Sequence, residues 1–354
     1  MPTTIAVLGG GPAGCAAALT LRRYLPELSV VLIAMPNAEG PAVGETLAPG
    51  VLPLFEYLGV RAAFMTTGHT PAGGTLSAWG SEQVTDRSYL FTGRGTGWHL
   101  DRTQFNAWLL AQAQAVGTRH IEGRARLDGL IRADTVWRIP IEGQAPALVD
   151  AVIDATGRPA HFVRQQAEPP RRDDALIAII RWFTHDGPAQ CSEGALVETV
   201  PQGWWYSATL PRQRAVAMFM TDADLRAQAD WHERLADAPA TRTRMQSWHP
   251  TGESATRAAH SQCSSVVTAD GWVAAGDAAT AFDPVSALGI GFSLRSGMEA
   301  ARVAAAWAEH DDTAATAYRD SIARIYADYR ARLRGIYQQE RRWPREAFWA
   351  RRLG

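Results

Sequence analysis

The chain has 354 residues and a mass of 38.4 kDa, enough for two domains or for one large α/β body. Its formal net charge of −1 gives no bulk attraction to nucleic acid or to a membrane surface, and no apolar run approaches the roughly 18–20 residues of a membrane span. The three cysteines are widely spaced and form no CxxC pair, so we expect a reducing, cytoplasmic setting without a disulfide scaffold or a metal site.

The first predicted elements form a βαβ unit. A short apolar strand at residues 4–8 precedes the glycine-rich segment GGGPAG at 9–14. Helix-forming residues follow at 15–24, and a second apolar strand lies at 29–34. This order predicts a parallel sheet.

The middle of the chain contains one irregular region and one clear helix. Residues 66–80 are rich in glycine, proline and threonine and are predicted to be irregular. A helix over 101–116 begins on an acidic cap and carries Phe105, Leu109 and Ala113 at helical spacing, so these three side chains are predicted to face the core.

The remaining elements change in character. Residues 148–157 read as a buried strand that ends in a glycine turn, whereas the alternating segments between about 172 and 265 predict antiparallel strands of a different sheet. Two helices are predicted at 293–310 and 313–338. An arginine- and tryptophan-rich tail, RRWPREAFWARRLG, follows them.

The pattern Gly9-x-Gly11-x-x-Gly14 lies between a strand and a helix, where it predicts dinucleotide binding. Glycine there allows a tight turn, close approach of a pyrophosphate and close helix–strand packing, and the helix start offers free N–H groups to the anion. The acidic residue that usually follows about 20 residues later and holds the ribose is missing. The nearest acid after the second strand is Glu39.

A family resemblance rests on three motifs: GGGPAG, the strand end DATG at 154–157, and Gly276-Asp277. Together they resemble the motif set of FAD enzymes with the para-hydroxybenzoate hydroxylase fold. The resemblance implies that Asp277 hydrogen-bonds the ribityl chain of FAD. It also implies that the pyrophosphate is bound by Gly9, Gly11, Pro12, Ala13 and Gly14. The isoalloxazine ring would be flanked by Pro284, Gly289, Ile290 and Gly291.

Two intervening segments resemble a narrower branch, the flavin-dependent halogenases and their relatives. GETLAPG at 44–50 resembles their GES-type loop near the flavin, which implies cofactor contacts for Glu45 and Thr46 and a catalytic role for Glu45. DRTQFNAWL resembles their "DRxxFxxxL" helix and implies that Arg102 lies near the FAD phosphates. The alternatives are a solvated loop carboxylate for Glu45 and an arginine paired with an acid for Arg102.

Three parts needed for halogenation are absent. All 35 Lys+Arg residues are arginine, so no lysine can act on hypohalous acid. GWWYSATLP at 203–211 takes the place of the WxWxIP motif, and Ala287-Leu288-Gly289 takes the place of the Ser-Thr-Gly that helps to bind halide. We therefore expect a chemistry other than halogenation.

What remains resembles the small flavoproteins that mature tryptophylquinone cofactors. The resemblance implies an FAD-dependent monooxygenase that hydroxylates an aromatic ring through a flavin C4a-hydroperoxide, with a tryptophan of a partner protein as one candidate substrate. It would use O₂, with NAD(P)H or a separate flavin reductase as the electron source. Two alternatives stay open: an FAD-dependent reductase or dehydrogenase acting on a lipid-like or small aromatic substrate, and a flavin-binding assembly factor without turnover.

The resemblance also implies an α/β fold, in which a Rossmann-type FAD-binding domain carries an inserted antiparallel (α+β) substrate domain and C-terminal helices. The predicted boundaries are 1–75, 98–165 and 266–310 for the FAD-binding domain, 76–97 and 166–265 for the substrate domain, and 311–354 for the helical segment.

Several further side chains are candidates for the substrate site. Trp204, Trp205 and Tyr206 are candidate wall residues, with core packing as the alternative, and Trp205 joins Glu45 and Pro284 as a predicted catalytic residue. The candidate proton donors are His69, His99 and His260, with a surface or core role as the alternative for each. Asp283 could orient the loop or act as an acid/base, with a helix N-cap role as the alternative.

The tail has two interpretations. Its arginines form either a solvated helix face or, together with Trp343, Phe348 and Trp349, a docking surface for a protein partner.

Overall fold

Alternating and continuous apolar segments give two kinds of sheet. The computed structural model describes residues 3–35, 43–89, 95–187, 194–228, 230–309 and 311–353, so Glu39 lies outside the described residues. The strands are β1 (Thr4–Leu8), β2 (Ser29–Ala34), β3 (Thr46–Leu47), β4 (Thr70–Ala72), β5 (Gly74–Ala78), β6 (Thr85–Ser88), β7 (Gly97–His99), β8 (Arg119–Glu122), β9 (Ile131–Ala133), β10 (Val136–Ile141), β11 (Gln144–Val149), β12 (Ala151–Asp154), β13 (Arg171–Arg172), β14 (Leu176–Thr184), β15 (Gly194–Val200), β16 (Gly203–Leu210), β17 (Arg214–Asp222), β18 (His249–Ala258), β19 (Gln262–Cys263), β20 (Thr268–Ala269), β21 (Trp272–Ala274) and β22 (Thr280–Ala281). The helices are α1 (Pro12–Tyr24), α2 (Leu52–Tyr57), α3 (Arg61–Phe64), α4 (Arg102–Ala115), α5 (Val163–Gln166), α6 (Trp231–Ala236), α7 (Pro239–Met245), α8 (Gly289–Ala308), α9 (Thr313–Tyr337) and α10 (Ala347–Leu353).

The first sheet has the order β20-β21-β12-β1-β2-β8, and its strands are parallel except for the short edge strand β20. The central strands are mostly apolar and buried, as expected of a parallel sheet that is covered on both faces. Helices α1 and α8 pack closely where Gly297 meets Ala13. Only a residue without a Cβ fits there, because a Cβ at Gly297 would collide with the carbonyl of Ala13. The predicted βαβ opening and the α/β fold class are confirmed.

The second sheet has the order β18-β14-β17-β16-β15-β5-β6 and is antiparallel except for the pairing of β15 with β5. The predicted irregular region at 66–80 is wrong, because it contributes β4 and β5. Gly74 can pair with Ser88 of β6 because its missing Cβ leaves room for the backbone of Arg87 and Ser88. The domain boundaries stay a prediction.

Helix boundaries were predicted well where a cap marked them. The side chain of Asp101 accepts a hydrogen bond from the Gln104 N–H at 3.1 Å, and α4 buries Phe105, Leu109 and Ala113 as predicted. The start of α8 was predicted four residues too late. Gly289 is its first residue, so the glycines assigned to a loop form its first turn.

The tail folds back onto the molecule, so two of its aromatic residues are not available for docking, whereas Arg341, Arg345 and Arg351 are exposed, as the solvated-face interpretation expects. Phe348 and Trp349 are fully buried, and the Trp349 indole N–H donates to the Val200 carbonyl at 2.9 Å. Arg352 is partly buried and pairs with the carboxylate of Asp222 at 2.6 Å. The tail therefore belongs to the core of the substrate sheet. Among the described residues, no helix combines the length and the apolarity needed to cross a membrane.

Candidate functional site

A cavity of about 330 Å³ lies between the ends of the parallel strands and one face of the antiparallel sheet. The start of α1 and the end of β21 contribute Gly11 and Asp277 to it, and the loop before α8 contributes Pro284. The opposite wall is the face of the second sheet. The residues of this sheet that line the cavity are Ala178, Ile180, Tyr206, Met218, Met220, Arg257 and Ala258.

The glycines of the first loop have different tasks. Gly9 has φ +113°, and a Cβ there or at Gly14 would collide with a backbone carbonyl, so both are required by the turn itself. A Cβ at Gly11 would meet no protein atom within 4 Å, although this residue lines the cavity. The space beside Gly11 is thus left free by the protein, as the approach of a pyrophosphate requires.

A second opening of the same kind lies at the start of α8. A Cβ at Gly289 would also meet nothing within 4 Å, and Gly289 and Ile290 both line the cavity. Gly291 does not line it, because its Cβ position faces Val51 at 3.4 Å. Among the described residues no side chain caps α1 or α8, so both helix starts present N–H groups at the cavity.

Asp277 is held by Arg158 at the end of β21. The Arg158 Nε lies 3.3 Å from the carboxylate, and its Nη2 donates to the Phe282 carbonyl at 2.8 Å. Gly276, with φ +60°, allows the close approach to Ala13 that turns Asp277 into the cavity. Burial raises the pKa of Asp277, while the two nearby guanidinium groups of Arg158 and Arg102 oppose that rise.

Replacing Asp277 with asparagine is expected to weaken FAD binding about 10- to 100-fold, because a hydrogen bond to a charged acceptor contributes roughly 1.5–3 kcal/mol. Titrating the apoprotein with FAD and following the flavin fluorescence measures this loss. Asp270→Asn is the matched control, since Asp270 is exposed and lies only a few residues away. Equal affinities for both variants would exclude the assigned role of Asp277.

Glu45 is a buried carboxyl, not the solvated loop carboxylate of the alternative. It is 2% exposed and lines the cavity beside Thr46. Its Oε2 accepts from the Gly44 N–H at 3.0 Å, whereas its Oε1 has no hydrogen-bond partner among the described residues. Burial raises the pKa of Glu45 to about 7, against the attraction of the Arg102 cation.

Arg102 fastens the loop that carries Glu45. Its Nη1 donates to the carbonyl of Val43 at 2.7 Å and to that of Gly44 at 2.9 Å. Within the described part of the chain it forms no ion pair closer than 4 Å, so the alternative of an arginine paired with an acid is not what the structure has. Arg102 lines the cavity, where its cation faces the space assigned to the cofactor.

A row of polar groups crosses the wall beside Glu45. The hydroxyl of Tyr206 lies 2.6 Å from the Thr46 hydroxyl, which lies 3.3 Å from Nδ1 of His99. Burial and the charge of Arg244 lower the pKa of His99 to about 4, so its ring is neutral near pH 7. His99 is therefore a poor proton donor there.

The other two candidate histidines lie away from the cavity lining. His69 packs against Phe64 and Phe105, with ring centroids 5.6 and 6.1 Å apart. The Nε2 of His260 lies 3.0 Å from the side-chain oxygen of Gln262. Neither histidine belongs to the described residues that line the cavity.

The assignment of Trp205 to the cavity wall is wrong. Successive side chains of a strand point to opposite faces, and Tyr206 takes the face that lines the cavity. Trp205 is fully buried on the other face, against Phe219 and Trp231. Trp204 shares the face of Tyr206 but packs under the tail, where its indole N–H donates to the Tyr337 hydroxyl at 3.2 Å.

Asp283 is the site residue whose partners the sequence did not reveal. Its Oδ2 accepts from the Tyr337 hydroxyl at 2.6 Å, and its own N–H donates to the Tyr329 hydroxyl at 2.8 Å. Burial raises the pKa of Asp283 to about 6. The only signal for this network in the sequence is the spacing of four tyrosines that α9 buries: Tyr318, Tyr326, Tyr329 and Tyr337.

The raised pKa of Asp283 has a consequence for stability. Because the folded protein binds this proton more tightly than the unfolded chain, Asp283 contributes stability at low pH that is lost as the pH rises through about 6. We expect the free energy of unfolding of the wild type, relative to Asp283→Asn, to fall between about pH 4 and about pH 6 and then level off. Urea denaturation across that range measures it, with Asp320→Asn on the exposed face of α9 as the control. A constant difference would contradict the prediction.

Free backbone N–H groups at two helix starts, an open glycine beside each and a buried carboxylate at a strand end fit a dinucleotide with a polyhydroxyl chain. Together with the two-sheet fold, they define an FAD-dependent oxidoreductase. The chain belongs to the tryptophan halogenase family, which matches residues 4–95 and 82–352.

Individual relatives agree with this assignment. The chain is 30% identical to the "Putative FAD-dependent oxidoreductase LodB" of Marinomonas mediterranea, over 98% of this chain and 95% of that protein. A solved structure described as the peptidyl tryptophan dihydroxylase QhpG, essential for tryptophylquinone cofactor biogenesis, matches with a TM-score of 0.78 and 25% identity, covering 100% of this chain and 79% of that one. The flavin-dependent halogenase CmlS matches in fold with a TM-score of 0.86 and 21% identity, covering 99% and 68%.

Proposed function

We propose that the protein is an FAD-dependent monooxygenase that hydroxylates an aromatic ring, with a tryptophan of a partner protein as the substrate. The observation that carries the proposal is a flavin-type cavity in a chain without a single lysine. A halogenase-like fold that lacks this residue, and has Ala287-Leu288 in place of the halide-binding pair, retains the parts for oxygen transfer and loses those for halogenation. The likeness to QhpG supports the choice of substrate.

The walls of the cavity suit such a reaction. FAD, when bound, supplies the activation of O₂, and the protein positions the ring and excludes water. On the sheet side, Ala178, Ile180 and the two methionines present an apolar surface to a planar ring. Opposite them, Pro284, Ala287 and Leu288 close the space, and Leu288 is 37% exposed, so this edge is accessible from outside.

The polar residues divide between binding and proton transfer. Asp277, the first turn of α1 and the first turn of α8 would hold the cofactor. Glu45 can hold a proton at Oε1 near neutral pH, because its pKa is about 7. Electrons would come from NAD(P)H or from a separate flavin reductase, since the sequence has no second GxGxxG motif.

Mass spectrometry of co-purified partners tests the proposal. The FAD-loaded protein is incubated with the partner, a flavin reductase, NADH and isotopically labelled O₂, and a tryptophan of the partner should gain one or two labelled oxygen atoms. An anaerobic incubation is the control. An unmodified partner combined with oxygen-independent turnover of a small molecule would overturn the proposal, as would a halogenated tryptophan in the presence of halide.

A further inference from the structure

A second, much smaller cavity touches the main one at two residues. It has a volume of about 20 Å³ and lies between the start of α4 and the turn that joins β16 to β17. Glu45 and Arg102 line both cavities and so form the partition between them. On its outer side the small cavity is lined by Thr103, which is exposed, and by Arg214, which is partly exposed.

The partition carries two buried polar atoms of opposite kind. Neither the Glu45 Oε1, an acceptor, nor the Arg102 Nε–H, a donor, has a hydrogen-bond partner among the described residues. Both are inaccessible to bulk solvent, where an unsatisfied polar group costs about 1–3 kcal/mol. Native proteins satisfy such groups, commonly with an ordered water molecule.

The small cavity has the size and the polarity for one water molecule. A buried water needs a volume of roughly 10–15 Å³ and two to four polar partners. The cavity provides about 20 Å³, and two of its lining residues, Glu45 and Arg102, carry an unsatisfied acceptor and an unsatisfied donor. A water there would accept from the Arg102 Nε–H and donate to the Glu45 Oε1.

We propose that Glu45 is the inner end of a proton route that reaches the surface through a water molecule held between Glu45 and Arg102 in the small cavity. The inference rests on the proposed function, which gives the route its task. Hydroxylation places one atom of O₂ on the ring and releases the other as water, with two electrons and a hydrogen from NAD(P)H and one proton from bulk solvent. The route would supply that proton.

The transfer itself involves no change of oxidation state. Glu45 releases its proton from Oε1 to an oxygen atom in the main cavity and becomes a carboxylate. The water in the small cavity then gives a proton to Oε1 and regains one from bulk solvent at the mouth beside Thr103. The cation of Arg102 remains unchanged and orients the water.

The charges around Glu45 suit this exchange. Arg102 on α4 favours the carboxylate, whereas burial favours the neutral acid, and the two effects leave the pKa at about 7. Tyr206 on β16 faces Glu45 with a phenol whose pKa is far above neutrality, so it stays protonated. At the outer end, Asp101 and Arg214 line the small cavity with opposite charges.

A spectral titration without turnover tests the role of Glu45. The visible spectrum of the oxidised, FAD-loaded protein is followed from about pH 5 to about pH 9. We expect one inflection near pH 7 in the wild type, its loss in Glu45→Gln, and its retention in Glu56→Gln, which changes an exposed glutamate. An unchanged inflection in Glu45→Gln would overturn the assignment.

A crystal structure tests the water. In the wild type and in Thr103→Ser, we expect an ordered water within hydrogen-bonding distance of both Glu45 Oε1 and Arg102 Nε. In Thr103→Phe the aromatic ring should fill the small cavity and exclude it. A direct contact between Glu45 and Arg102, or a dry cavity in the wild type, would overturn the proposal.

Turnover separates this proposal from the proposed function. Glu45→Gln should lower the rate of hydroxylation about 10²- to 10⁴-fold, the usual contribution of a general acid, and Thr103→Phe should lower it less. Thr103→Phe should bind FAD as the wild type does, because Thr103 lines only the small cavity. If the wild type hydroxylates its partner and both variants match its rate, the proton route is disproved and the proposed function stands. If no hydroxylation occurs, the proposed function fails, and the titration and the water still decide the roles of Glu45 and Arg102.

Discussion

Replacing Gly11 with valine is expected to abolish FAD binding while the apoprotein stays folded. The backbone of Gly11 is extended, with φ −77° and ψ −178°, a conformation that any residue adopts. The new side chain would meet no protein atom near its Cβ and would project into the space beside the helix start. A pyrophosphate would approach through that space. The valine side chain would therefore block cofactor binding and leave the packing of the apoprotein nearly unchanged.

The matched variant is Gly14→Ala, three residues further on. A methyl group there would collide with the carbonyl of Gly9, so this change should destabilise the apoprotein itself. For Gly11→Val the cost to the apoprotein should be about 1 kcal/mol, because valine is a poorer helix N-cap than glycine, and this is small beside a typical stability of about 5–15 kcal/mol.

Two measurements separate the variants: the flavin absorbance of protein reconstituted with FAD, and the urea midpoint of the apoprotein. If Gly11→Val retains FAD at wild-type affinity, the pyrophosphate does not lie at the start of α1. The fit of the cofactor to the glycine-rich loop would then have to be given up.

The glycine motif also shows which features of the site can be predicted from the sequence. Its position between a strand and a helix predicted the turn, because only glycine permits the left-handed backbone at Gly9 and the close packing at Gly14. The sequence could not separate these two from Gly11. Which glycine faces open space depends on Ala155 and the start of α8, and these elements lie far away along the chain.

Strand β16 shows a second limit. The alternation of side chains predicted that about half of the aromatic residues at 204–206 would face away from the cavity. The phase of that alternation was not predictable, since it is set by the pairing of β16 with β15 and β17. The prediction therefore placed Trp205 on the wrong face of the strand, and Tyr206 is the residue that lines the cavity wall.

Contacts between residues far apart in the sequence were the hardest to predict. Tyr337 is 54 residues from the Asp283 that it binds, and Arg352 is 130 residues from Asp222. An arginine-rich tail has the same composition whether its charges meet solvent or buried carboxylates. Only the folded chain shows that Arg351 and Arg352 pair with the carboxylate of Asp222 at the end of β17.

Replacing Trp349 with alanine should lower the free energy of unfolding by about 3–5 kcal/mol, the usual cost of removing a buried tryptophan. Its ring is fully buried and packs on Trp79 and Tyr337, with centroids 5.8 and 6.0 Å apart. The Val200 carbonyl would also lose its indole donor. Trp343→Ala is the control, because Trp343 is only partly buried and should cost less.

The same substitution should reach the cavity. The ring of Trp349 supports Tyr337, whose hydroxyl holds the Asp283 carboxylate at the cavity wall. We therefore expect Trp349→Ala to weaken FAD binding under conditions in which the variant is still folded, whereas Trp343→Ala should not. Urea denaturation and FAD titration measure the two effects. A tail that detaches without loss of stability would contradict the prediction and would restore the view that these aromatic residues serve an external partner.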